Sequence, residues 1–241
     1  MSMQNLPPAP IYELEFMYMS WGTLINEVVS VLSKALPTNA RVLDLICGPG
    51  YLLGKLQESR PDVACLGVDF DQEFIAHAKA KYPLVRFELA NAVTWMTSEK
   101  FDAIVCTGGV HHLCPEEQEP FIARLPSFLK VGGVNEKGFA VIADPYIGDF
   151  RNERERLLAC AKLGYEYLVT TIENDGPPEV IKAAVDVLSN DLFLVEWKTS
   201  VSKRLVVLRR YFSSVTAHYT WPQLAREGKV DYGDCYFLLT N

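Results

Sequence analysis

The sequence lacks the features that mark membrane, secreted and nucleic-acid-binding proteins. No apolar run reaches the about 18 residues that a membrane span needs, and residues 1–10 lack the positive cluster and apolar core of a secretory signal. Lys and Arg total 23 against 30 Asp and Glu, a net charge of −7, so no basic excess is present to neutralise phosphates. We therefore expect a cytoplasmic monomer or homodimer that acts on a small molecule, without a membrane or nucleic-acid partner.

Cysteine is present, but not in a metal-binding pattern. No two of the six cysteines have the C-x-x-C spacing of a zinc site. Several lie inside apolar runs, where a reduced cysteine behaves as a small hydrophobic residue. We therefore expect free, buried thiols and no metal site.

From residue 41 onward, short apolar runs alternate with helical segments. The predicted strands are 41–46, 63–69, 84–89, 101–106 and 138–144, and the predicted helices between them are 51–59, 71–81 and 115–129, the last ended by Gly132-Gly133. This alternation predicts an α/β fold with a doubly wound, mostly parallel sheet. Residues 215–221 and 235–240 are predicted to pair as a closing antiparallel hairpin, for about seven strands in all.

We predict a single domain with four parts. A helical cap (1–37) includes one long helical pattern over 11–36, and the core (38–149) holds the alternating strands. A helical insertion or lid (150–200) follows the fifth strand, and a last helix with the closing strands (201–241) completes the chain.

The first strand ends in a turn that suits a ligand with positive charge. Asp44 precedes Gly48-Pro49-Gly50, and Asp69 ends the next strand 25 positions later, where a carboxylate can accept the hydrogen bonds of a ribose. A nicotinamide dinucleotide requires G-x-G-x-x-G, and here Gly54 comes one residue too late. Asp44 would also repel a pyrophosphate, whereas it would attract an ammonium or sulfonium group.

The turn and the strand before it contain Val42-Leu43-Asp44 and Cys47-Gly48. This segment resembles the first motif of the class I methyltransferases that use S-adenosylmethionine, with Ile46 where a glycine is usual. The resemblance implies that S-adenosylmethionine is the cofactor and S-adenosylhomocysteine the product. It implies that Asp44 lies near the methionine amino group, Asp69 on the ribose and Phe70 beside the adenine. The remaining implied cofactor contacts are Cys47, Gly48, Gly50, Asn91, Ala92 and Thr107.

The segment after the fourth strand reads Val110-His111-His112-Leu113, and the fifth strand ends at Asp144. Both features resemble small-molecule O-methyltransferases of this family, in which a histidine removes the acceptor proton and an aspartate assists it. The resemblance implies that His112 or His111 is the base and that Asp144 orients it. Many such enzymes need no base and act by alignment alone, so both mechanisms stay open.

The [DN]PP[YF] motif of enzymes that methylate adenine or glutamine nitrogens is absent after the fourth strand. The favoured function is methyl transfer to a small molecule, on oxygen first and nitrogen next. Three alternatives stay open: methylation of a protein or RNA with a partner, a donor-binding protein without transfer, and a non-methylating enzyme that uses the same donor. Aromatic residues of the cap, among them Tyr12, Phe16, Tyr18 and Trp21, and those of the insertion are candidates for the acceptor pocket.

Overall fold

A computed structural model describes residues 6–131, 138–193 and 196–241. The strands of its sheet are β1 (Arg41–Leu45), β2 (Ala64–Asp69), β3 (Arg86–Leu89), β4 (Ala103–Thr107), β5 (Phe139–Tyr146), β6 (Ser214–Trp221) and β7 (Gly233–Thr240). The helices are α1 (Ala9–Tyr18), α2 (Trp21–Ala35), α3 (Tyr51–Ser59), α4 (Gln72–Lys81), α5 (Pro115–Phe128), α6 (Glu153–Glu173), α7 (Pro178–Leu192), α8 (Val201–Leu208) and α9 (Gln223–Arg226).

The seven strands form one sheet in the order β3-β2-β1-β4-β5-β7-β6. The first five strands pair in parallel, and β7 lies antiparallel between β5 and β6. The predicted doubly wound sheet with a closing hairpin is therefore confirmed. Because the strand order reverses beside β1, the carboxyl ends of β1, β2 and β4 form the edge where such sheets bind ligands.

Two apolar layers cover the faces of the sheet, and the two-residue period of the strands sorts side chains between them. Val42 faces the layer made with α2, α3 and α4, whereas Leu43 faces the layer made with α5 and α8. Since both faces are covered, the strands are apolar throughout. A carboxylate within β1 is therefore placed inside the core unless a ligand meets it.

The predicted helix over 11–36 is wrong in one respect, because the structure divides it into α1 and α2. Met19, between them, has an extended backbone. The two helices cross so closely that a Cβ on Gly22 would lie 1.8 Å from the carbonyl oxygen of Phe16. A tertiary contact of this kind leaves no mark in the periodicity of the sequence.

The insertion forms a pair of packed helices, α6 and α7, and α1 packs on α7. The glycine pair predicted to end α5 lies outside the described residues, and α5 ends at Phe128. All six cysteines are free, and all but Cys114 are buried, as expected. In the described ranges, no helix is both long and apolar enough to cross a membrane.

Candidate active site

A deep cavity opens at the carboxyl ends of β1, β2 and β4, under α1, α2 and α7. Its empty volume is about 1170 Å³, counting the solvent at its mouth, which is ample for a ligand of the usual pocket class. Seven of the predicted site residues line it: Cys47, Gly48, Asp69, Phe70, Thr107, His111 and His112. The sequence motifs therefore meet at one cavity.

The turn after β1 is fixed by its bonds to the end of β2. The amides of Ile46 and Cys47 donate to the carbonyl oxygen of Val68 at 2.8 and 3.1 Å, and the Gly48 amide donates to Asp69 Oδ2 at 2.9 Å. Gly48 has a φ of +53°, and a Cβ there would meet nothing nearer than the Phe74 ring at 4.0 Å. Its missing side chain leaves that space to the cavity.

Ile46 occupies a backbone conformation that suits glycine. Its φ is +63°, in the left-handed region that costs a β-branched residue about 1–3 kcal/mol. The Ile46 side chain lies against Gly109, where an added Cβ would come within 2.9 Å of it. The departure from the glycine of the family motif therefore introduces backbone strain at the ligand-facing turn.

Asp44 is fully buried in β1, and neither of its carboxylate oxygens has a hydrogen-bond partner among the described residues. Burial, and after it the nearby Asp69 carboxylate, raises the pKa of Asp44 well above its usual range. Asp44 does not itself line the cavity, but it lies near Cys47, whose thiol pKa is raised by burial and next by the Asp44 carboxylate. An unpaired buried carboxylate at this depth calls for a cationic partner.

Asp69 and Phe70 occupy the end of β2. Asp69 is 4% exposed, and its carboxylate accepts the amides of Gly48 and Asp71, each at 2.9 Å. Burial raises the pKa of Asp69 against the lowering effect of these two bonds. Each oxygen keeps a further lone pair for a hydroxyl. Phe70 is 68% exposed and presents an apolar ring to the cavity.

Besides Asp44, three further predicted cofactor residues do not line the cavity. A Cβ on Gly50 would lie 2.6 Å from the Phe87 ring, so this glycine is required for packing. The Asn91 Oδ1 accepts the amide of Val93 at 2.9 Å and caps a short turn. Ala92 is buried in the layer beside α5. Their contacts with the cofactor stay predictions.

The predicted catalytic residues come together. His111 and His112 lie in a 3₁₀ turn (Val110–His112) after β4, and His111 Nδ1 is 2.9 Å from Asp144 Oδ1 on β5. This bond fixes the ring and leaves its Nε2 lone pair available. Burial, and next His111, lowers the pKa of His112 to about 3. His112 is therefore neutral and a weak base, which favours His111 in that role.

Glu196 completes the group, and the sequence analysis did not find it. Its Oε2 lies 3.8 Å from His111 Nε2, and its Oε1 lies 4.0 Å from His112 Nδ1. The buried Lys198 ammonium contacts Glu196 Oε2 at 2.5 Å and Asp191 Oδ1 at 2.9 Å. Although burial acts to raise the pKa of Glu196, Lys198 and the two histidines lower it to about 2. No motif surrounds Glu196, so only its position in space reveals it.

The cavity is covered by aromatic and acidic residues of the cap. Tyr12, Phe16 and Trp21 line it, as the sequence analysis suggested for the acceptor side. Glu15 also lines it, is 1% exposed and has no partner for Oε2. Burial, and next Glu196, raises the pKa of Glu15 well above its usual range. Among the described lining residues there is no Lys or Arg.

Comparisons with known proteins identify similar domains and folds. Residues 42–133 match a family model described as a methyltransferase domain. Over 99 residues the chain is 32% identical to trans-aconitate 2-methyltransferase from Variovorax paradoxus (strain S110), covering 41% of this chain and 38% of that protein. Over 107 residues it is 30% identical to carboxy-S-adenosyl-L-methionine synthase from Campylobacter fetus subsp. fetus (strain 82-40), covering 43% and 46%. The chain thus spans less than half the length of each of these two relatives.

The fold also resembles solved structures over nearly the whole chain. Magnesium protoporphyrin IX methyltransferase from Synechocystis PCC 6803, solved with bound S-adenosylhomocysteine, superposes with a TM-score of 0.58 at 15% identity. The match covers 92% of this chain and 84% of that one. At this identity the likeness shows the fold alone.

Proposed function

We propose that this chain, a class I S-adenosylmethionine-dependent methyltransferase by its domain and fold, transfers the methyl group of that donor to a small-molecule acceptor, on oxygen first and on nitrogen next. One observation carries the choice of donor. Asp44 is a buried carboxylate with two unpartnered oxygens beside a cavity whose described wall has no Lys or Arg. Such a wall repels a pyrophosphate and attracts a ligand with an ammonium and a sulfonium group.

Each donor-side residue has a role that its surroundings support. Asp44 would hold the amino group, and Asp69 would accept hydrogen bonds from the ribose hydroxyls with its free lone pairs. Phe70 would stack beside the adenine. In this proposal the part of the cavity wall near the donor sulfur consists of Cys47, Gly48 and Thr107.

On the acceptor side, His111 would accept the proton of the acceptor hydroxyl at Nε2, while Asp144 stabilises the resulting imidazolium through Nδ1. The bound donor supplies an electrophilic methyl carbon: the acceptor oxygen forms the new O–C bond as the C–S bond breaks, and that electron pair stays on sulfur. His112 packs against His111, with ring centroids 4.0 Å apart, and helps to exclude water.

The charge of the wall also restricts the acceptor. Glu15 and Glu196 face the cavity, and its described lining has no Lys or Arg, so a polycarboxylate of the kind named in the Variovorax relative would find no cationic partner there. Tyr12 and Trp21 provide aromatic surface instead. We therefore favour a neutral or cationic acceptor with an apolar or aromatic body.

Calorimetric titration tests the donor site. We expect S-adenosylmethionine and S-adenosylhomocysteine to bind in the micromolar range (about −8 kcal/mol) and NAD not to bind. Asp44→Asn should lower the affinity for both sulfur ligands. Asp175→Asn is the matched control and should leave both affinities unchanged, because Asp175 is exposed and its left-handed backbone conformation is one that Asn tolerates. Failure of both sulfur ligands to bind the wild-type chain would overturn the proposed donor.

The product assay separates the alternatives that share this donor. Release of S-adenosylhomocysteine with an acceptor from a panel of phenols, amines and amino sugars supports methyl transfer. The Campylobacter relative is named as a synthase of a carboxylated form of the donor, so a donor-derived product other than S-adenosylhomocysteine would favour a non-methylating enzyme. Tight donor binding with no turnover on any acceptor would favour a binding protein.

A further inference from the structure

Three side chains with metal-ligating atoms, two of them buried and one partly buried, converge beside the acceptor side of the cavity. His111, His112 and Glu196 each offer one such atom, and these atoms lie within 4.8 Å of one another. They are brought together from the turn after β4 and from the end of the insertion, 84 positions apart in the sequence. Their side chains are 9%, 18% and 3% exposed.

The distances inside this group are too long for hydrogen bonds. The two histidine-to-carboxylate separations are 3.8 and 4.0 Å, beyond the roughly 3.2 Å limit of an N–H···O bond. Two ligands at about 2.1 Å from one transition-metal ion lie about 3.4 Å apart in a tetrahedral site and about 4.2 Å apart on opposite sides of the ion. The Nδ1 of His112 has no hydrogen-bond partner, although it is buried. The three ligating atoms are therefore close enough to converge on one ion after small side-chain shifts.

Neighbouring side chains hold two of the three proposed ligands in place. Asp144 holds the opposite nitrogen of His111, the usual arrangement behind a histidine ligand. Asn190 Nδ2 donates to Glu196 Oε1 at 3.2 Å and so holds the carboxylate in place.

Charge around the group favours a cation. Asp144, Asp191 and Glu196 are buried here, and the ammonium of Lys198 balances one of the three charges. A divalent ion would offset the remaining negative charge in a region of low dielectric.

We propose that His111 Nε2, His112 Nδ1 and the Glu196 carboxylate bind one divalent transition-metal ion with open positions toward the cavity. The lack of paired cysteines disfavours thiolate sites only, whereas two histidines and one carboxylate suit Fe²⁺, Co²⁺ or Zn²⁺. The use of the ion rests on the proposed function: it would coordinate the acceptor oxygen and lower the pKa of its proton. In the loaded chain His111 Nε2 would be a ligand in place of the base proposed above, and the acceptor proton, made more acidic by the ion, would pass to water at the mouth of the cavity.

Titration with Co²⁺ tests the site without an acceptor. The full chain, stripped by chelator and dialysed, should bind one Co²⁺ per chain and develop visible ligand-field bands that Zn²⁺ abolishes. His112→Gln and Glu196→Gln should each weaken binding at least about 100-fold, the upper end of the cost of losing an outer-shell partner. His218→Gln, a change at an exposed histidine on β6, is the matched control and should bind like wild type.

The outcomes distinguish this site from the proposed donor. No visible bands for the wild-type chain, or equal bands for His112→Gln and wild type, overturn the metal site. Because the first of these results uses no variant, misfolding of a variant does not obscure it, and thermal unfolding checks each variant separately. Co²⁺ binding without S-adenosylhomocysteine binding would sustain the metal site and overturn the donor, and the reverse pattern would do the opposite.

Discussion

The proposed donor side and the proposed acceptor side of the cavity, called the donor side and the acceptor side below, are built from different kinds of sequence. The donor side uses Asp44, Gly48 and Asp69, which lie in two consecutive strand–turn units joined by hydrogen bonds between neighbouring strands. The acceptor side joins the cap, the turn after β4, β5 and the end of the insertion. Local sequence therefore specifies the first side, whereas tertiary packing specifies the second.

The two sides also handle buried charge differently. Asp44 has no hydrogen-bond partner within the described part of the chain, and burial raises its pKa, so its ionised form needs a cationic ligand. Glu196 already contacts the buried Lys198. A site whose charge is unmatched depends on its ligand, whereas a site with an internal counter-ion keeps its shape without one. The four predictions below test this contrast.

The largest effect should come from His111→Gln. If His111 accepts the acceptor proton or binds an ion that activates it, turnover should fall about 10²–10⁴-fold. Donor affinity should stay near wild type, because His111 belongs to the acceptor side. The measurement is release of S-adenosylhomocysteine with an active acceptor, beside donor calorimetry, with His218→Gln as control. Unchanged turnover would instead support alignment alone as the source of catalysis.

Lys198→Met should cost the most stability. It leaves the Asp191 and Glu196 carboxylates buried with no ammonium between them, and breaking a buried ion pair in this way costs about 3–5 kcal/mol. Lys182→Met removes an ammonium that is 75% exposed from its pair with Asp186 and should cost at most about 1 kcal/mol. Urea unfolding compares the two, and equal losses would mean that the acceptor side does not depend on its internal ion pair.

The free and donor-bound chains should respond to pH in opposite directions through Asp44. Its raised pKa means that the folded free chain binds this proton more tightly than the unfolded chain, so this contribution to stability is present at low pH and is lost as pH rises through the folded pKa. An ammonium ligand requires the ionised form, so stabilisation by S-adenosylhomocysteine should grow as pH rises.

Thermal unfolding with and without S-adenosylhomocysteine, at about pH 5.5 and about pH 8, measures this effect. Asp44→Asn should remove the pH dependence of the stabilisation by S-adenosylhomocysteine. It should also weaken donor binding by about 1.5–3 kcal/mol, the usual contribution of a hydrogen bond to a charged group. If the variant keeps the wild-type pH response, the unpaired charge resides elsewhere, with Asp69 as the next candidate.

The same contrast explains how much could be predicted from sequence. Helix α3 was predicted at its observed bounds, and Asp71 caps α4 as expected, accepting the amides of Glu73 and Phe74, because both depend on residues close in sequence. Glu196 follows no strand end and belongs to no repeat, so nothing local marks it. The break between α1 and α2 depends on the approach of Gly22 to Phe16. The missing information in both cases is which distant segments touch.

The smallest effect concerns Ile46, where the turn departs from the methyltransferase motif that it resembles. In ordinary elements, glycine is less stable than alanine by about 0.5–1 kcal/mol. At a φ of +63° the order should invert, because alanine keeps the left-handed strain of about 1–2 kcal/mol that glycine removes.

Ile46→Gly should therefore be more stable than Ile46→Ala by about 1 kcal/mol in urea unfolding, although both lose the same apolar contacts with the layer beside α5. Gly164 on α6 is the converse control, because it has no positive φ. Its replacement by alanine should lower the free energy of unfolding, because the added Cβ would lie 2.9 Å from the Leu188 side chain. If Ile46→Ala equals or exceeds Ile46→Gly in stability, the turn is unstrained in solution. The isoleucine would then replace the glycine of the motif without lowering the stability of the chain.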